Sequence, residues 1–394
     1  MKVLYITNKP IYPKVDGGCV AMDNFLQCLL AKNIDIKHLF IHTSKHPYLE
    51  GNYPSELSDR IRPKGVFINT KVTAISAIKH LFKRGSYNVN RFYSPEMKEL
   101  IVDQLQAEDY TCIILESLFI GPYIESIRDN YTGKIFIRTH NVESDIWNDL
   151  AKSATNFFRA SYLRKLANDL KKYEIEILQK IDGILSLSID DVQRFAELKI
   201  KTKAEVIPVT IELHDKEDNT YDNNNFFHLG VMNWQPNIEA VDRLIKLFPT
   251  IRKNIPTAEL HIAGKHSTEV VKENQQSGIF VHGFVEDSRQ FSIQTGILVS
   301  PILSGSGIRI KLLEAMALGI PCVTTTRGIQ GIDYSENNCV IVADNDTKII
   351  HECIRLAKDK KLREEIGKNA RNYIRKNHNI ESVSTRIVEF IKNT

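Results

Sequence analysis

The apolar positions of this chain alternate between short β-branched runs and longer amphipathic segments from end to end. Short runs of this kind indicate strands, and segments with apolar residues three and four positions apart indicate helices. In the first half the predicted strands are Lys2–Thr7, Asp35–Phe40, Thr111–Glu116, Lys134–Arg138, Gly183–Ser188 and Glu205–Pro208. The predicted helices are Val20–Lys32, Pro95–Ala107, a broken helix over Val142–Lys180, and Asp190–Leu198.

A polar, turn-rich stretch at 211–225 separates this set from a second one and is predicted to be a linker. The second set of predicted strands is Phe226–Met232, Glu259–Ala263, Ile279–Gly283, Ile297–Ile302, Cys322–Thr325 and Val340–Val342. The predicted helices there are Pro236–Lys253, Asp346–Ala357, Lys360–Lys376 and Ile380–Ile391. The pattern predicts an α/β protein with two doubly wound parallel-sheet domains, 1–210 and 226–379. Such domains bind ligands at the carboxyl ends of their strands.

Composition places the chain among ordinary globular proteins, with 42% hydrophobic and 25% charged residues. No stretch approaches the roughly 20 apolar residues that span a bilayer, and the opening apolar run is too short for a signal peptide. We therefore expect a cytoplasmic protein. The six cysteines show neither a C-x-x-C pair nor metal-ligand spacing, so we expect no disulfides and no zinc.

The net charge of +4 lies entirely in residues 1–205, which hold 29 Lys and Arg against 25 Asp and Glu. This excess is too small to indicate nucleic-acid binding, but it permits peripheral contact with the inner face of an anionic membrane. An apolar stripe follows a helical period at Leu163, Leu166, Leu170, Tyr173 and Ile177. It predicts a helix packed on its own domain, with a membrane-surface helix as the alternative.

A glycine-rich turn at residues 304–308 carries the strongest chemical signal. The turn contains Ser306, Gly307 and Ile308, and a helix follows with Arg309, Lys311 and Glu314 in its first two turns. Backbone N–H groups at a helix N-terminus attract anions, and glycines let an anion approach closely. Two cations there suit a diphosphate, and a carboxylate one turn further suits a pair of sugar hydroxyls. The segment therefore predicts a site for a nucleotide sugar.

Several segments resemble the retaining glycosyltransferases of family 4, which have the GT-B fold. They are GVMNWQPNIEAVDRL, ELHIAGK, VHGFVED and residues 304–328 in the second half, and PIYPKVDGG, RTHNVES and EVIPV in the first. The resemblance covers nearly the whole chain and implies two Rossmann-like domains facing each other across a cleft. It also implies that the last helix, about residues 380–394, packs back onto the first domain.

The resemblance also implies roles for individual residues. The E-A-M-A-x-G-x-P pattern of the family begins at Glu314, which implies that this carboxylate holds the donor's ribose hydroxyls. The alternative is an exposed glutamate paired with Lys311. His140, after a first-half strand, is implied to contact the transferred sugar. The donor's base is implied to lie beside Gly264, Lys265, Phe284 and Val285.

Two departures from the family pattern occur together. The first glutamate of the E-x7-E pattern is replaced by Ser306, and no cation occurs in the loop over residues 231–237. We expect Arg309 and Lys311 to supply the missing positive charge to the phosphates, with an ordinary solvated helix start as the alternative.

Two further segments are candidates for donor binding. Gly17 and Gly18 precede a predicted helix and can offer backbone N–H groups to the donor phosphate, although a double glycine also suits a simple turn. Asn233, Trp234 and Asn237 surround Pro236 at the start of another helix. They suit either donor contacts, or a cap and packing.

The sequence thus predicts a retaining, hexosyltransferase-type glycosyltransferase. It would move a sugar from a nucleoside-diphosphate donor to a hydroxyl acceptor, with no metal, no cofactor and no nucleic acid involved. Asp344-Asn345-Asp346 matches a D-x-D metal motif, but it is predicted to cap a helix. Two alternatives remain. One is a nucleotide-sugar epimerase, for which no carboxylate pair is evident beside His140. The other is a non-catalytic binding subunit, suggested by Ser306.

Overall fold

The computed structural model describes residues 1–71, 86–213, 225–271, 277–305, 307–332, 334 and 338–394. They form two compact units. The first comprises Met1–Val209 and Val383–Thr394, and the second comprises Thr210–Ser382. Residues 214–224 of the predicted linker, and Ser306, lie outside the described residues.

The first unit is built on a seven-stranded parallel sheet with the order β3-β2-β1-β4-β5-β6-β7. Its strands are β1 (Lys2–Thr7), β2 (Asp35–His42), β3 (Lys64–Phe67), β4 (Cys112–Glu116), β5 (Lys134–Thr139), β6 (Gly183–Ser186) and β7 (Lys203–Val206). The chain order reverses between β1 and β4, and a ligand crevice in such sheets opens at this switch point. Thr7 pairs with Glu116 and Glu116 with Arg138, which aligns their strand ends at one edge.

Helices cover both faces of this sheet. They are α1 (Gly17–Ala31), α2 (Ser55–Ile61), α3 (Tyr87–Asn90), α4 (Pro95–Ala107), α5 (Ile124–Asn130), α6 (Glu143–Ser153), α7 (Phe157–Gln179) and α8 (Ile189–Glu197), with a 3-10 turn at Leu118–Tyr123. Successive residues of a strand point to opposite faces. Leu4 and Ile6 therefore join one buried cluster, while Val3 and Tyr5 join the other.

The second unit has a six-stranded parallel sheet with the order β10-β9-β8-β11-β12-β13. Its strands are β8 (Asn225–Leu229), β9 (Leu260–Ala263), β10 (Ile279–Gly283), β11 (Gly296–Ser300), β12 (Cys322–Thr324) and β13 (Ile341–Val342). Its helices are α9 (Gln235–Asn254), α10 (Ser267–Val270), α11 (Ser288–Thr295), α12 (Ile310–Ala317), α13 (Asp346–Lys358) and α14 (Lys360–Asn377). The last helix, α15 (Ile380–Asn393), follows α14.

The predicted break in the long helical segment is confirmed, since α6 ends at Ser153 and α7 begins at Phe157. The apolar stripe of α7 packs within its unit, with Leu166, Leu170 and Ile177 buried. The alternative, in which this stripe lies on a membrane, is therefore wrong. β3 and α2 were not predicted, because the polar segment that contains them shows neither the two-residue period of a strand nor the 3.6-residue period of a helix.

The helix caps differ in detail from the predicted ones. Asn345, and not an aspartate, caps α13 by accepting from the Lys348 N–H, while Asp344 accepts from Thr326. Ser188 caps α8, and the N–H of Asp191 donates to it. All six cysteines are buried free thiols.

The described residues contain no helix whose length and apolar character would let it cross a bilayer. In the same part of the chain, no three His, Cys, Asp or Glu side chains are grouped closely enough to hold a metal ion.

The last residues of the chain complete the core of the first unit. Phe390 is buried on α15, and its ring meets the Phe136 ring edge-on at a centroid distance of 5.8 Å. A Cβ at Gly183 would lie 2.9 Å from both rings, so this position has no room for a side chain. Val383, Ile387 and Ile391 lie in the same cluster. The first unit therefore depends on residues from both ends of the chain.

We expect Phe390→Ala to lower the free energy of unfolding of the first unit by about 3–5 kcal/mol, because the cavity left beside Phe136 and Gly183 is lined by a packed core. Urea denaturation followed by circular dichroism measures this loss. The exposed Lys392→Ala on the same helix is the control, with a change within about 0.5 kcal/mol. Equal losses in the two variants would contradict the packing described here.

Candidate functional site

Three neighbouring strands of the second unit end at glycines, which leave the carboxyl edge of the sheet open. Gly230, Gly264 and Gly283 follow or end β8, β9 and β10. Gly230 N–H donates to Ala263 O at 3.0 Å, and Gly264 N–H donates to Gly283 O at 2.7 Å. A Cβ at Gly264, whose φ is +132°, would lie 1.9 Å from Gly230 O. No side chain therefore fits at Gly264.

The glycine-rich turn after β11 packs against the start of α9. Gly305 and Gly307 have φ values of +86° and +84°, which favour glycine. A Cβ at Gly305 would come within 3.2 Å of the Trp234 ring and 3.1 Å of Pro236. Ser304 Oγ donates to Glu239 Oε2 at 2.7 Å. The turn therefore packs against the first two turns of α9.

Arg309 precedes the first residue of α12 and is 6% exposed. Its guanidinium carbon lies 5.2 Å from the centroid of the Trp234 ring. Its two terminal nitrogens donate to Gly307 O at 2.9 Å and to Ser304 O at 3.4 Å. Burial, together with the charge of Arg327, lowers the pKa of Arg309 to about 10. The guanidinium group thus joins the two ends of the turn by hydrogen bonds and places its positive charge next to the turn.

Lys311 is turned inward from α12. Its ammonium donates to Leu229 O at 2.7 Å and to Asn237 Oδ1 at 2.8 Å, and it lies 3.1 Å from His228 Nε2. The Nδ1 of His228 lies 3.0 Å from Val299 O, so a proton on Nδ1 leaves Nε2 as an acceptor. All three ammonium protons are thereby directed at uncharged groups.

The burial of the Lys311 ammonium beside His228 lowers the pKa of both groups. Burial lowers the pKa of Lys311 to about 7, and repulsion from Arg309 acts in the same direction. Burial also lowers the pKa of His228 to about 3, with the charge of Lys311 as the second cause. The imidazole is therefore neutral at physiological pH, and the ammonium holds its proton only marginally.

Asn237, a candidate for donor binding, is 5% exposed and accepts a hydrogen bond from Lys311. Its amide nitrogen donates to Val231 O at 3.0 Å while its oxygen accepts from Lys311. Trp234 is 38% exposed and forms the platform for Arg309. Asn233 is exposed in the same loop.

Glu314 lies on the second turn of α12 and is exposed. Desolvation by the surrounding protein still raises the pKa of its carboxyl group. The ion pair with Lys311 that was considered as an alternative does not form among the described residues, because the Lys311 ammonium is held by the three groups named above. Glu314 therefore remains accessible to a ligand.

The remaining predicted residues of this unit lie around the same edge. Lys265 is exposed, and its Nζ lies 5.4 Å from the centroid of the Phe284 ring, which is itself exposed. Met232 N–H donates to Lys265 O at 2.9 Å and joins the loops after β8 and β9. Half-buried positions are occupied by Val285, Gly307 and Ile308.

In the first unit, Gly17 and Gly18 form the first turn of α1 rather than a loop before it. Asp16 caps this helix by accepting from the Cys19 N–H at 2.9 Å, and it pairs with Lys9 at 2.6 Å. Burial would raise the pKa of Asp16, but the hydrogen bond with His46 and the charge of Lys9 hold it well below its ordinary value. A Cβ at Gly18 would lie 2.7 Å from Lys9 Nζ. The absence of a side chain at Gly18 thus leaves room for the side chain of Lys9.

His140 belongs to a buried charge network that the sequence analysis missed. Glu116 at the end of β4 accepts hydrogen bonds from Tyr5, at 2.5 Å, and from Arg138, at 2.5 Å, and it also contacts His140. Glu116 and Arg138 are 0% and 1% exposed. Burial would raise the pKa of Glu116, but the charge of Arg138 and the hydrogen bond from His140 lower it to about 2. A sequence signal did exist, because each charge directly follows at least three consecutive apolar residues of its strand.

Two more carboxylates border His140, contrary to the expectation that no pair lies there. Glu143 and Glu174 line a small cavity together with His140. Glu174 accepts from the Glu143 and Ser144 N–H groups at 2.9 and 3.2 Å, which caps α6. Burial raises the pKa of Glu143 to about 8 and that of Glu174 to about 7. These residues lie 31 positions apart along the chain, so their proximity is a product of the fold.

We expect Arg138→Leu to lower the free energy of unfolding of the first unit by about 3–5 kcal/mol at neutral pH, because the Glu116 carboxylate is left buried without its cation. In the wild type, the pKa of Glu116 is lowered from 4.5 to about 2. Its contribution to stability is therefore present above pH 4.5 and is lost as the pH falls toward 2.

Urea titrations between pH 7 and pH 3 measure both effects. Glu116→Gln is the control, since it should flatten the pH dependence in the acid range. An Arg138→Leu variant as stable as the wild type at neutral pH would refute the role of this pair.

Part of the chain matches a family model, and a longer part matches a curated relative. Residues 223–359 match the model of the family described as glycosyl transferases group 1. An uncharacterized 44.6 kDa protein in the cps region of Klebsiella pneumoniae is 23% identical over 290 residues, which cover 71% of this chain and 73% of that protein.

Solved structures resemble the whole chain in fold. A sucrose-phosphate synthase from Thermosynechococcus elongatus has a TM-score of 0.71 at 11% identity and covers 100% of this chain and 99% of its own. Anabaena HepE in complex with UDP-glucose has a TM-score of 0.67 at 13% identity, with both chains fully covered. Staphylococcus aureus TarM, as a mutant in complex with UDP and sugars, has a TM-score of 0.66 at 12% identity and covers 99% of this chain and 100% of its own.

The two parallel-sheet units and these likenesses establish the fold, and the family model covers the strands and helices that hold Arg309, Lys311 and Glu314. The chain thus has the GT-B fold, and residues 223–359, which lie in its second unit, match the family of glycosyl transferases group 1.

Proposed function

We propose that the protein is a retaining glycosyltransferase, similar to those of family 4, that moves a hexose from a nucleoside-diphosphate donor to a hydroxyl acceptor without a metal ion. The observation that carries this proposal is the buried positive charge of Lys311, which is held by three uncharged partners beside the glycine-rich turn. An anion at that turn would compensate this charge.

The positive field around the turn favours a diphosphate. Arg309 and Lys311 repel each other, and Arg327 adds to the repulsion on Arg309. The N-terminus of α12 adds the partial positive charge of its backbone N–H groups. An anion bound there would relieve this repulsion, and the same field would stabilise the charge that develops on the leaving diphosphate.

Arg309 and Lys311 act as fixed charges in this proposal, rather than as flexible side chains that reach for the ligand. Their donors already hold the turn and the end of β8, so binding a donor requires little side-chain ordering. Preorganised charge of this kind is more effective in catalysis than charge that must be moved into place.

Glu314 is proposed to hold the ribose hydroxyls of the donor. Its exposure and its position one turn beyond Lys311 fit that role. His140 is proposed to contact the transferred sugar. Retention is proposed to follow from attack on the same face of the sugar as the leaving group, with the departing diphosphate taking the acceptor's proton.

A uridine diphosphate sugar is the first donor to test. The HepE and TarM structures contain UDP or UDP-glucose, and the exposed Lys265 and Phe284 suit the proposed contact with the base. A thermal-shift panel of nucleoside diphosphate sugars would rank the donors, because a ligand that binds only the folded state raises stability.

A nucleotide-sugar epimerase is a second candidate because of Glu143 and Glu174. Burial gives both carboxyls a pKa near neutrality, so they can accept and return a proton at physiological pH. Incubation of the donor without an acceptor separates the two candidates. An epimerised sugar nucleotide would favour the epimerase, whereas sugar transfer that requires an acceptor would favour the transferase.

We expect Glu314→Ala to lower kcat/KM for the donor by about 10–100-fold, since hydrogen bonds to a charged group contribute about 1.5–3 kcal/mol. Transfer or hydrolysis of a radiolabelled UDP-sugar measures the loss. Glu314→Gln keeps part of the hydrogen bonding, so its kcat/KM should lie between those of the wild type and Glu314→Ala. The control is Glu364→Ala at an exposed position of α14. An equal loss of kcat/KM in this control would contradict the proposed role of Glu314.

We expect the affinity for a UDP-sugar to fall as the pH rises above 7. Lys311 has a pKa of about 7 in the free protein, and a bound anion would raise that pKa, so binding takes up a proton. The decline should approach about tenfold per pH unit. Calorimetry in buffers of different ionisation enthalpy measures the proton uptake.

Lys311→Met is the matched variant for this measurement. It should bind the donor more weakly at pH 6 and should show no slope from pH 7 to pH 9. A wild-type affinity that is constant over this range would refute the proposed coupling.

A further inference from the structure

The hairpin formed by α6 and α7 presents an unusual tip. α6 ends at Ser153, and Asn156 caps α7 by accepting from the Arg159 N–H at 3.1 Å. The cap fixes the start of α7 and places Phe157 and Phe158 in its first turn. The side chains at the tip are therefore held on a regular helix rather than on an irregular loop.

The two phenylalanines are almost fully exposed. Phe157 is 78% and Phe158 81% exposed, the largest fractions among the exposed large hydrophobics of the described residues. Their rings meet edge to face at a centroid distance of 5.9 Å. Leu150, on the last turns of α6, is 47% exposed. Adjacent exposed aromatic residues of this kind indicate a surface for interaction.

The tip of the hairpin is rich in positive charge. Residues 150–168 contain four cations and no Asp or Glu. Lys152 and Lys165 reach Asp149 and Asp169 outside that span. Arg159 and Arg164 are exposed, and neither forms an ion pair among the described residues. The tip therefore combines apolar rings with cations that are available to an anionic surface.

The hairpin is fixed at its base, so the tip is a rigid projection. The Glu174 carboxylate accepts from two N–H groups at the start of α6. Leu170 and Ile177 of α7 lie in the core of the unit. Phe157 precedes Glu174 by 17 residues, which places it about 25 Å along the helix from this anchor.

We propose that the tip of the α6–α7 hairpin docks on an anionic lipid bilayer, with Phe157 and Phe158 inserted at the interface and Arg159 and Arg164 on the lipid phosphates. Apolar rings beside cations are the composition that binds such interfaces. This surface lies at the tip and not along the apolar stripe of α7, which packs inward.

A second copy of the chain fits this tip less well than a bilayer does. Two aromatic side chains bury about 300–500 Å² together, below the about 800 Å² per partner of a stable interface. Arg159 and Arg164, whose charges form no ion pair among the described residues, would also repel the same arginines of an identical tip. An anionic bilayer can bind this tip, because a small apolar area suffices for insertion at the interface and the cations are attracted to the lipid phosphates.

Flotation with vesicles tests the proposal. The wild type should float with vesicles of one part phosphatidylglycerol to two parts phosphatidylcholine, and it should not float with phosphatidylcholine alone. Phe157→Ser/Phe158→Ser should lower the partition coefficient by at least about tenfold. Arg159→Glu/Arg164→Glu should abolish flotation with the anionic vesicles, and added salt should weaken the wild type.

Matched variants control for exposure and for charge. Leu49→Ser removes another exposed apolar side chain, 69% exposed and away from the tip. Lys253→Glu/Lys392→Glu changes the net charge by the same amount at two exposed positions. Both should float as the wild type does. Equal flotation of the phenylalanine variant and the wild type would overturn the proposal.

Light scattering on lipid-free protein tests the rival occupant. A wild-type dimer that Phe157→Ser/Phe158→Ser converts to a monomer would assign the tip to a protein contact and overturn the membrane assignment. Thermal unfolding of the variants, with and without a UDP-sugar, shows that they fold. The docking proposal does not rest on the proposed function, because flotation requires no donor and no turnover.

Discussion

The burial of the Lys311 ammonium among uncharged acceptors is the constraint on which the second unit depends. Three groups from one strand and one helix meet at this single nitrogen. The contact ties α12 to the end of β8 and to α9, and so sets the position of the glycine-rich turn. Because none of the three groups carries a negative charge, the ammonium remains a source of positive potential at the carboxyl edge of the sheet.

The first unit also contains a buried charge, but there the charge has a partner of opposite sign. There the buried Glu116 carboxylate is compensated by Arg138 and by hydrogen bonds from its neighbours. The charges cancel within the fold, and the network orients His140 at the strand ends. The second unit thus keeps a buried cation whose hydrogen-bond partners are all uncharged, while the first unit pairs its buried charges and holds a polar side chain in place.

The glycines at the two sites have physical reasons that differ from position to position. Gly264 is required because its Cβ would collide with Gly230 O, and Gly305 because the Trp234 ring and Pro236 lie against it. Gly18 instead makes room for Lys9. The same residue type therefore allows close backbone and ring packing in the second unit and makes room for a lysine side chain in the first.

The sequence by itself determined the alternation of strands and helices, the two sheets, the break before α7 and the motif around Glu314, because these depend on local periodicity and on backbone conformation. It located Arg309 and Lys311 but not the direction of their side chains, since Leu229, Asn237 and His228 lie more than 70 positions away from Lys311. Glu116 with Arg138, and Glu143 with Glu174, are likewise joined only by the fold. The tertiary structure decided which charges are buried together, because burial and its effect on pKa arise from contacts between distant segments.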